Sequence, residues 1–346
     1  MRGVEIERQQ IASAVIRDLD KFTETMGVDY ETLASAVGLG DFTPDDETDF
    51  VNLDRFAKFL EVASILSGDD SFGLRFASWQ KEILTGPLSL AMLNAPTVRD
   101  SLAVMVKFIA TRINVAEIEF VIESDVAYVE WAFSPLIIRR WQLVDFTASA
   151  HVNRMMRIYD EHWRPHSVQL VRPPPRNREA HRQLFGRSVE YSCARNMIVL
   201  PASHMSRPIK NADPVIYNIS VRLLARMAQE HAITTDLVTS VREEIVHALP
   251  TEDGAQLDRI SRRMGMSVRT LQRSLATHGT SFQGLVDETR KKLASSYLED
   301  PDLTFSQISY QLGFSAPSAF TRASYRWFGQ RPGAVRRSLR HGLSSL

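Results

Sequence analysis

The feature that most constrains this chain is a unit that it contains twice. The first copy, LDRISRRMGMSVRTLQRSL, covers residues 257–275, and the second, FSQISYQLGFSAPSAFTRAS, covers 305–324. Each reads as a short helix ending in glycine (Gly265, Gly313), then an apolar residue (Met266, Phe314), then a serine (Ser267, Ser315). Glycine supplies the left-handed cap that lets a helix turn sharply. Serine accepts hydrogen bonds from the free N–H groups that open the next helix. Helix, glycine turn and capped helix together are the sequence form of a helix-turn-helix, so the repeat predicts an all-helical region here.

The second helix of each unit divides into faces. In the first copy Leu271 and Leu275 lie four apart and point inward, while Arg269, Gln272 and Arg273, at i, i+3 and i+4, share the outward face. In the second copy one residue is inserted at Pro317; Phe320 then matches Leu271, and Ser318, Thr321 and Arg322 match the outward trio. These side chains can reach base edges: Arg to guanine, Gln to adenine, Ser or Thr to either. A solvated face is the bland alternative, but solvation alone does not explain similar chemistry on two matched faces. Helix starts also present N–H groups to phosphate, which adds Ser267, Thr270 and Ser315 as phosphate contacts, with Arg290 and Arg326 as cationic ones. The run Arg290-Lys291-Lys292 is more often a solvated helix flank than a reader of bases, with phosphate contact as the alternative.

Between the units, Ser281–Glu299 reads as one amphipathic helix with Phe282, Leu285, Val286, Leu293, Ala294 and Tyr297 on its apolar side. Its length of roughly 28 Å suits two recognition helices about one DNA turn, ~34 Å, apart. Charge agrees. The chain carries 41 basic and 41 acidic residues, but Leu257–Leu346 holds 14 Lys+Arg against 6 Asp+Glu, leaving +8 there and −8 in the rest. An acidic body joined to a basic segment points that segment at a polyanion.

From Leu257 to Arg337 the chain resembles the DNA-binding domain of AraC/XylS-type bacterial transcription regulators. SVRTLQRSL, GTSFQGLVDETR, ISYQLGFSAPSAFTRA and RWFGQRPGAVRR stand in family order and at family spacing. The resemblance implies that both recognition helices enter successive major grooves of double-stranded promoter DNA. Arg269, Gln272 and Arg273 then read bases for the first unit, and Ser318, Thr321 and Arg322 for the second. Two departures stand out: Ser324 occupies a position that is usually an aromatic core residue, and Tyr325 one that is usually basic. Further upstream, TGPLSLAMLNAPTVRDSL, Trp163-Arg164-Pro165 and FGRSVEYSCARNMIVLP resemble the effector-binding domain of a non-cupin AraC-type subgroup. The family resemblance further implies an activator that answers a small-molecule effector of unknown identity, contacts RNA polymerase and forms a homodimer.

The expected architecture is an α+β effector-binding and oligomerisation domain over residues 1–230, mostly helical with a small sheet, and an all-α DNA-binding domain over 234–346. The helix-turn-helix units of the latter span about 257–277 and 304–328. In the first domain an amphipathic helix is expected over 8–22 (Ile11, Val15, Leu19, Phe22), a helix after an Asn52 cap, others from Gly86-Pro87 and after Thr97, and a long one over 138–159. Strands are expected at 116–122 and 126–133 around a Ser124-Asp125 turn, at 167–171, and at 197–200. Asp213-Pro214 opens a further helix, and residues 231–235 read as a short polar junction.

The remaining residues offer little chemistry. A single cysteine, Cys193, excludes an internal disulfide. His162 and His166 are separated by the helix-breaking Pro165, and no nucleophile elbow, HExxH or phosphate loop is present. Neither a cofactor nor a catalytic site is expected. Trp131, Trp141 and Tyr128 read as core or as pocket lining, and Arg139-Arg140 as a helix-end pair or an anion site. No apolar run is long enough for a membrane span and the N-terminus is charged, so a cytoplasmic protein is expected. Two other functions compete: a non-specific or architectural DNA binder, and an enzyme domain tethered to DNA.

Overall fold

The computed structural model describes residues 9–40, 49–80, 86–113, 117–137, 140–159, 162–230, 237–251, 254–300 and 303–344. The chain forms two units, one built from residues up to Ala232 apart from a short stretch beginning at Ser134, and one built almost wholly from Ile233 onward.

The first unit opens with β1 (Gln10–Ala12), α1 (Leu19–Thr25) and α2 (Tyr30–Val37). A continuous helix over 8–22 is therefore not what forms, and residue 8 itself lies outside the described residues. Ile11 instead pairs with Val51 of β2 (Phe50–Asn52), antiparallel, and Asp18 takes a left-handed conformation (φ 60°) that starts α1 only at Leu19. Apolar residues four apart fit a strand followed by a turn as well as they fit a helix. Asn52 then accepts from the Arg55 N–H and starts α3 (Leu53–Ser67), whose Phe56, Phe59 and Leu60 are fully buried. Each such side chain contributes about 1.5–3 kcal/mol of burial.

Next come α4 (Phe72–Trp79), α5 (Pro87–Leu93, with Pro at its first turn) and α6 (Val98–Phe108), which Thr97 caps by accepting from the Asp100 N–H. Strands β3 (Glu117–Glu123) and β4 (Val126–Ala132) form a hairpin across Ser124-Asp125. The long helix is α7 (Trp141–Ile158); residues 138–139, including Arg139, lie outside the described residues. Then follow β5 (Ser167–Gln169), α8 (Glu179–Phe185), β6 (Val189–Glu190), β7 (Asn196–Pro201) and α9 (Pro214–Glu230). The sheet runs in the order β3-β4-β7-β5-β6, antiparallel except for β5 beside β6. The three prolines after β5 explain why that strand is short, since proline cannot donate to a ladder. The junction at 231–235 lies outside the described residues.

The second unit is all helix among the described residues: α10 (Leu237–Ala248), α11 (Leu257–Arg263), α12 (Val268–Thr277), α13 (Phe282–Glu299), α14 (Phe305–Gln311), α15 (Pro317–Phe328) and α16 (Pro332–Ser344). One apolar cluster joins them. Leu271 and Leu275 of α12 and Phe320 of α15 belong to the same core as Leu285 and Leu293 of α13 and Val241 and Ile245 of α10. The two helix-turn-helix units therefore share a core. No helix among the described residues is long and apolar enough to cross a membrane.

Candidate nucleic-acid interface

In the first helix-turn-helix, Gly265 takes φ +66° between α11 and α12, and the Ser267 hydroxyl accepts from the Thr270 N–H at 3.1 Å. The Thr270 hydroxyl lies 2.8 Å from that of Ser267, so both cluster at the α12 N-terminus. With Leu271 and Leu275 fully buried, Arg269, Gln272 and Arg273 are all exposed. None of the three has a side-chain hydrogen bond or ion pair among the described residues.

The second unit repeats the plan with one change. Gly313 takes φ +67° between α14 and α15. Proline occupies the first turn of α15, and the residue at its cap is Ala316, which makes no side-chain cap. Ser315, expected as the cap, is exposed in the turn one residue too early, because the insertion at Pro317 moved the helix start. Phe320 is buried while Ser318 and Arg322 are exposed. The Thr321 hydroxyl donates back to the Pro317 carbonyl at 3.0 Å, which leaves its oxygen only as an acceptor. Ser324, where an aromatic core residue was expected, is fully buried, and its hydroxyl donates to the Gln330 carbonyl at 2.9 Å. Tyr325 is exposed.

The two cationic residues expected at phosphate are engaged elsewhere. Arg290 donates through Nε to the Leu312 carbonyl (2.8 Å) and through Nη2 to the Gly313 carbonyl (3.0 Å), with its guanidinium 4.7 Å from the Phe314 ring centroid. It clamps α13 to the second turn, and burial lowers its pKa. Arg326 pairs with Asp287, which also accepts from the Trp327 indole at 3.0 Å. Arg336 likewise donates to the Leu298 and Leu303 carbonyls. Arg322, by contrast, has no such partner among the described residues.

The first unit holds a partly enclosed cavity between its helices and its sheet. Its walls include Leu88, Ile109, Ile113, Ile118, Phe146 and Trp131, together with Arg112, His151 and Arg154. Trp131, read as core or pocket, is both: it is 1% exposed and lines the cavity. Trp141 and Tyr128 do not line it. Desolvation, then the neighbouring Arg154 charge, pulls the His151 pKa down to about 3. Arg154 itself is lowered to about 10, by burial and then by Arg112. Sequence reasoning missed Arg112, His151 and Arg154. The readable signal was a charge on an apolar stripe, since Phe146, Ala150 and Arg154 recur every four residues along α7.

A second polar group lies in the same unit. Asp145 of α7 pairs with Arg172 and accepts from His181 Nε2 at 3.0 Å, and His181 Nδ1 lies 3.4 Å from the Ser71 hydroxyl. The residue types are those of a hydrolytic triad, brought together from distant parts of the chain. All are buried, with Ser71 2% exposed, and none lines the cavity. Their position suits a polar tie between α4, α7 and α8.

Comparison with known proteins agrees with this geometry. A family model described as the arabinose-binding domain of the AraC transcription regulator, N-terminal, matches residues 27–209, more than half of the chain. A helix-turn-helix domain model matches residues 260–338. The HTH-type transcriptional regulator VirS of Mycobacterium tuberculosis is 27% identical over 298 residues, covering 83% of this chain and 84% of VirS. The ornithine utilization regulator of Pseudomonas aeruginosa is 29% identical over 169 residues, 49% of each chain. The crystal structure of CdpR from Pseudomonas aeruginosa aligns with a TM-score of 0.44 at 19% identity, covering 94% of this chain and 98% of that one. With a regulator's N-terminal domain over more than half its length and a helix-turn-helix domain behind it, the chain belongs to the AraC family of DNA-binding transcription regulators.

Proposed function

We propose that the protein is a sequence-specific transcription activator of the cytoplasm, with an effector-binding domain over 1–230 and a DNA-binding domain over 234–346. It reads two successive major grooves through α12 and α15. The observation that carries this reading is the pair of outward faces. Arg269, Gln272 and Arg273, and then Ser318 and Arg322, are exposed without partners among the described residues, on helices that share one core. A common core favours a fixed spacing between the readers, which is what two half-elements one DNA turn apart require. Gln272 and Ser318 add nothing to charge, so a purely electrostatic binder has no use for them. The non-specific reading is therefore the weaker one. Activation proceeds by contact with RNA polymerase, and the cavity of the first unit takes the effector. Two copies pair through α9, where Val215, Ile216, Ile219 and Leu223 form an exposed apolar stripe.

The test compares duplexes that the protein enriches from a random pool. Arg269→Ala weakens binding by about 1–3 kcal/mol and relaxes preference at one base position of the first element. Arg322→Ala does the same in the second element. Equal weakening on every sequence, with preferences intact, contradicts direct readout by these residues.

A further inference from the structure

The cavity of the N-terminal unit carries a charge that its walls do not balance. Arg154 is 8% exposed, and its Nε is buried with no hydrogen-bond partner. Among the described residues its one side-chain hydrogen-bond contact is Nη1 to His151 Nδ1 at 3.4 Å, and no carboxylate pairs with it. Arg112 stands in the same wall and its positive charge acts on Arg154. No Asp or Glu among the described residues lines the cavity. A neutral donor, the Trp131 indole N–H, is also buried there without a partner, beside the His151 ring at 5.2 Å. A buried guanidinium without a counter-charge is strongly unfavourable, and proteins either pair such a group or hold it for a ligand.

We propose that this cavity binds a small organic acid, with Arg154 as the counter-ion of its carboxylate, Trp131 as a second donor, and an apolar body against Ile109, Ile113, Ile118 and Phe146. A planar guanidinium receives a carboxylate through two parallel hydrogen bonds. The apolar walls decide the rest of the ligand. A sugar carries a hydroxyl on nearly every carbon, and each needs a partner once buried. Of the two hydroxyl side chains in the lining, Ser89 and Thr147, the latter already donates to its own helix at the Leu143 and Val144 carbonyls. The lining therefore favours an acid with an apolar body over a polyol. The proposal rests on reading the first unit as effector-binding. It is tested without DNA, so its failure leaves the DNA-reading proposal standing.

The experiment uses the full chain in thermal-shift and calorimetric titrations. The probes are benzoate and hexanoate, the neutral amides of the same two skeletons, inorganic phosphate and L-arabinose, each at about 5 mM. The expected result is a rise in Tm with a carboxylate and none with its amide, phosphate or arabinose. Arg154→Lys weakens the carboxylate at least about tenfold by losing the bidentate fork, and Arg154→Met abolishes binding. A readout independent of the probe comes from the ligand-free protein, where Arg154→Met raises Tm because the uncompensated charge is gone. The proposal is overturned if no carboxylate binds, if the amides bind as tightly as the acids, if only phosphate or arabinose binds, or if Arg154→Met lowers the ligand-free Tm.

Discussion

A guanidinium already bonded to its own protein cannot meet a base edge without breaking that bond, and this sorts the arginines of the basic segment. Arg290, Arg326 and Arg336 hold helices of the DNA-binding domain together, while Arg269, Arg273 and Arg322 are presented outward. Sequence reasoning placed Arg290 at phosphate because its partners, the Leu312 and Gly313 carbonyls, lie more than twenty residues away. A basic residue's face can be read from spacing; its tertiary partner cannot. The same holds for Ser324, which looks like a lost core residue until its bond to the Gln330 carbonyl is seen. His151 carries a prediction at this scale. Its native pKa of about 3 lies below the unfolded value of roughly 6.5, so between those limits the unfolded chain binds more protons and acid destabilises the fold. Stability should fall by up to about 1.4 kcal/mol per pH unit on acidification through that window, and His151→Gln should flatten the slope. Chemical denaturation at pH 4, 5, 6 and 7 measures it. Parallel slopes for the two proteins would show that the ring is not held neutral.

Elements were legible where local chemistry starts them. Asn52, Thr97 and Ser267 cap the helices their positions announced, and the helix read from Ser281 starts with that serine as its cap. The hairpin at Ser124-Asp125 was equally visible, because alternation changes strand there with a two-residue turn. Where long-range pairing decides, the reading failed. The segment around Ile11 became a strand because Val51 offered it a ladder, and no pattern within 8–22 contains that fact. The two turns of the repeat look alike in sequence but differ in surroundings, which separates two mutations. At Gly265 an added Cβ meets nothing within 4 Å, so Gly265→Ala costs only the left-handed backbone, about 1–2 kcal/mol. At Gly313 the same Cβ would stand 2.4 Å from the carbonyl oxygen of Leu249, just past the end of α10. Gly313→Ala therefore adds a clash worth roughly 1–3 kcal/mol and loosens the turn that Arg290 clamps. Urea unfolding of the two variants should rank Gly313→Ala as clearly the less stable; equal losses would mean that α10 moves aside freely.

For the whole molecule, net charge hides the division of labour, since a zero total combines a basic DNA-binding segment with an acidic body. The repeat made the helices of the DNA-binding half and their buried and outward faces legible, but not the partners of Arg290 and Arg326 or the cap of α15. The cavity was not legible, because α5, the residues just after α6, β3, β4 and α7 each contribute to its walls and only the fold brings them together. The α9 stripe, with Val215 at 65% and Ile219 at 53% exposure, is more apolar surface than an isolated helix face needs. Ile219→Glu should convert a dimer to a monomer in sedimentation without lowering Tm, and a wild-type monomer at tens of micromolar would remove the stripe as a pairing surface. Two-groove sequence reading is tested by selection from a random duplex pool at roughly 0.15 M salt. The expected product is an enriched motif of two elements about 10 bp apart. A single short element, or DNA bound without any preferred sequence, would contradict it.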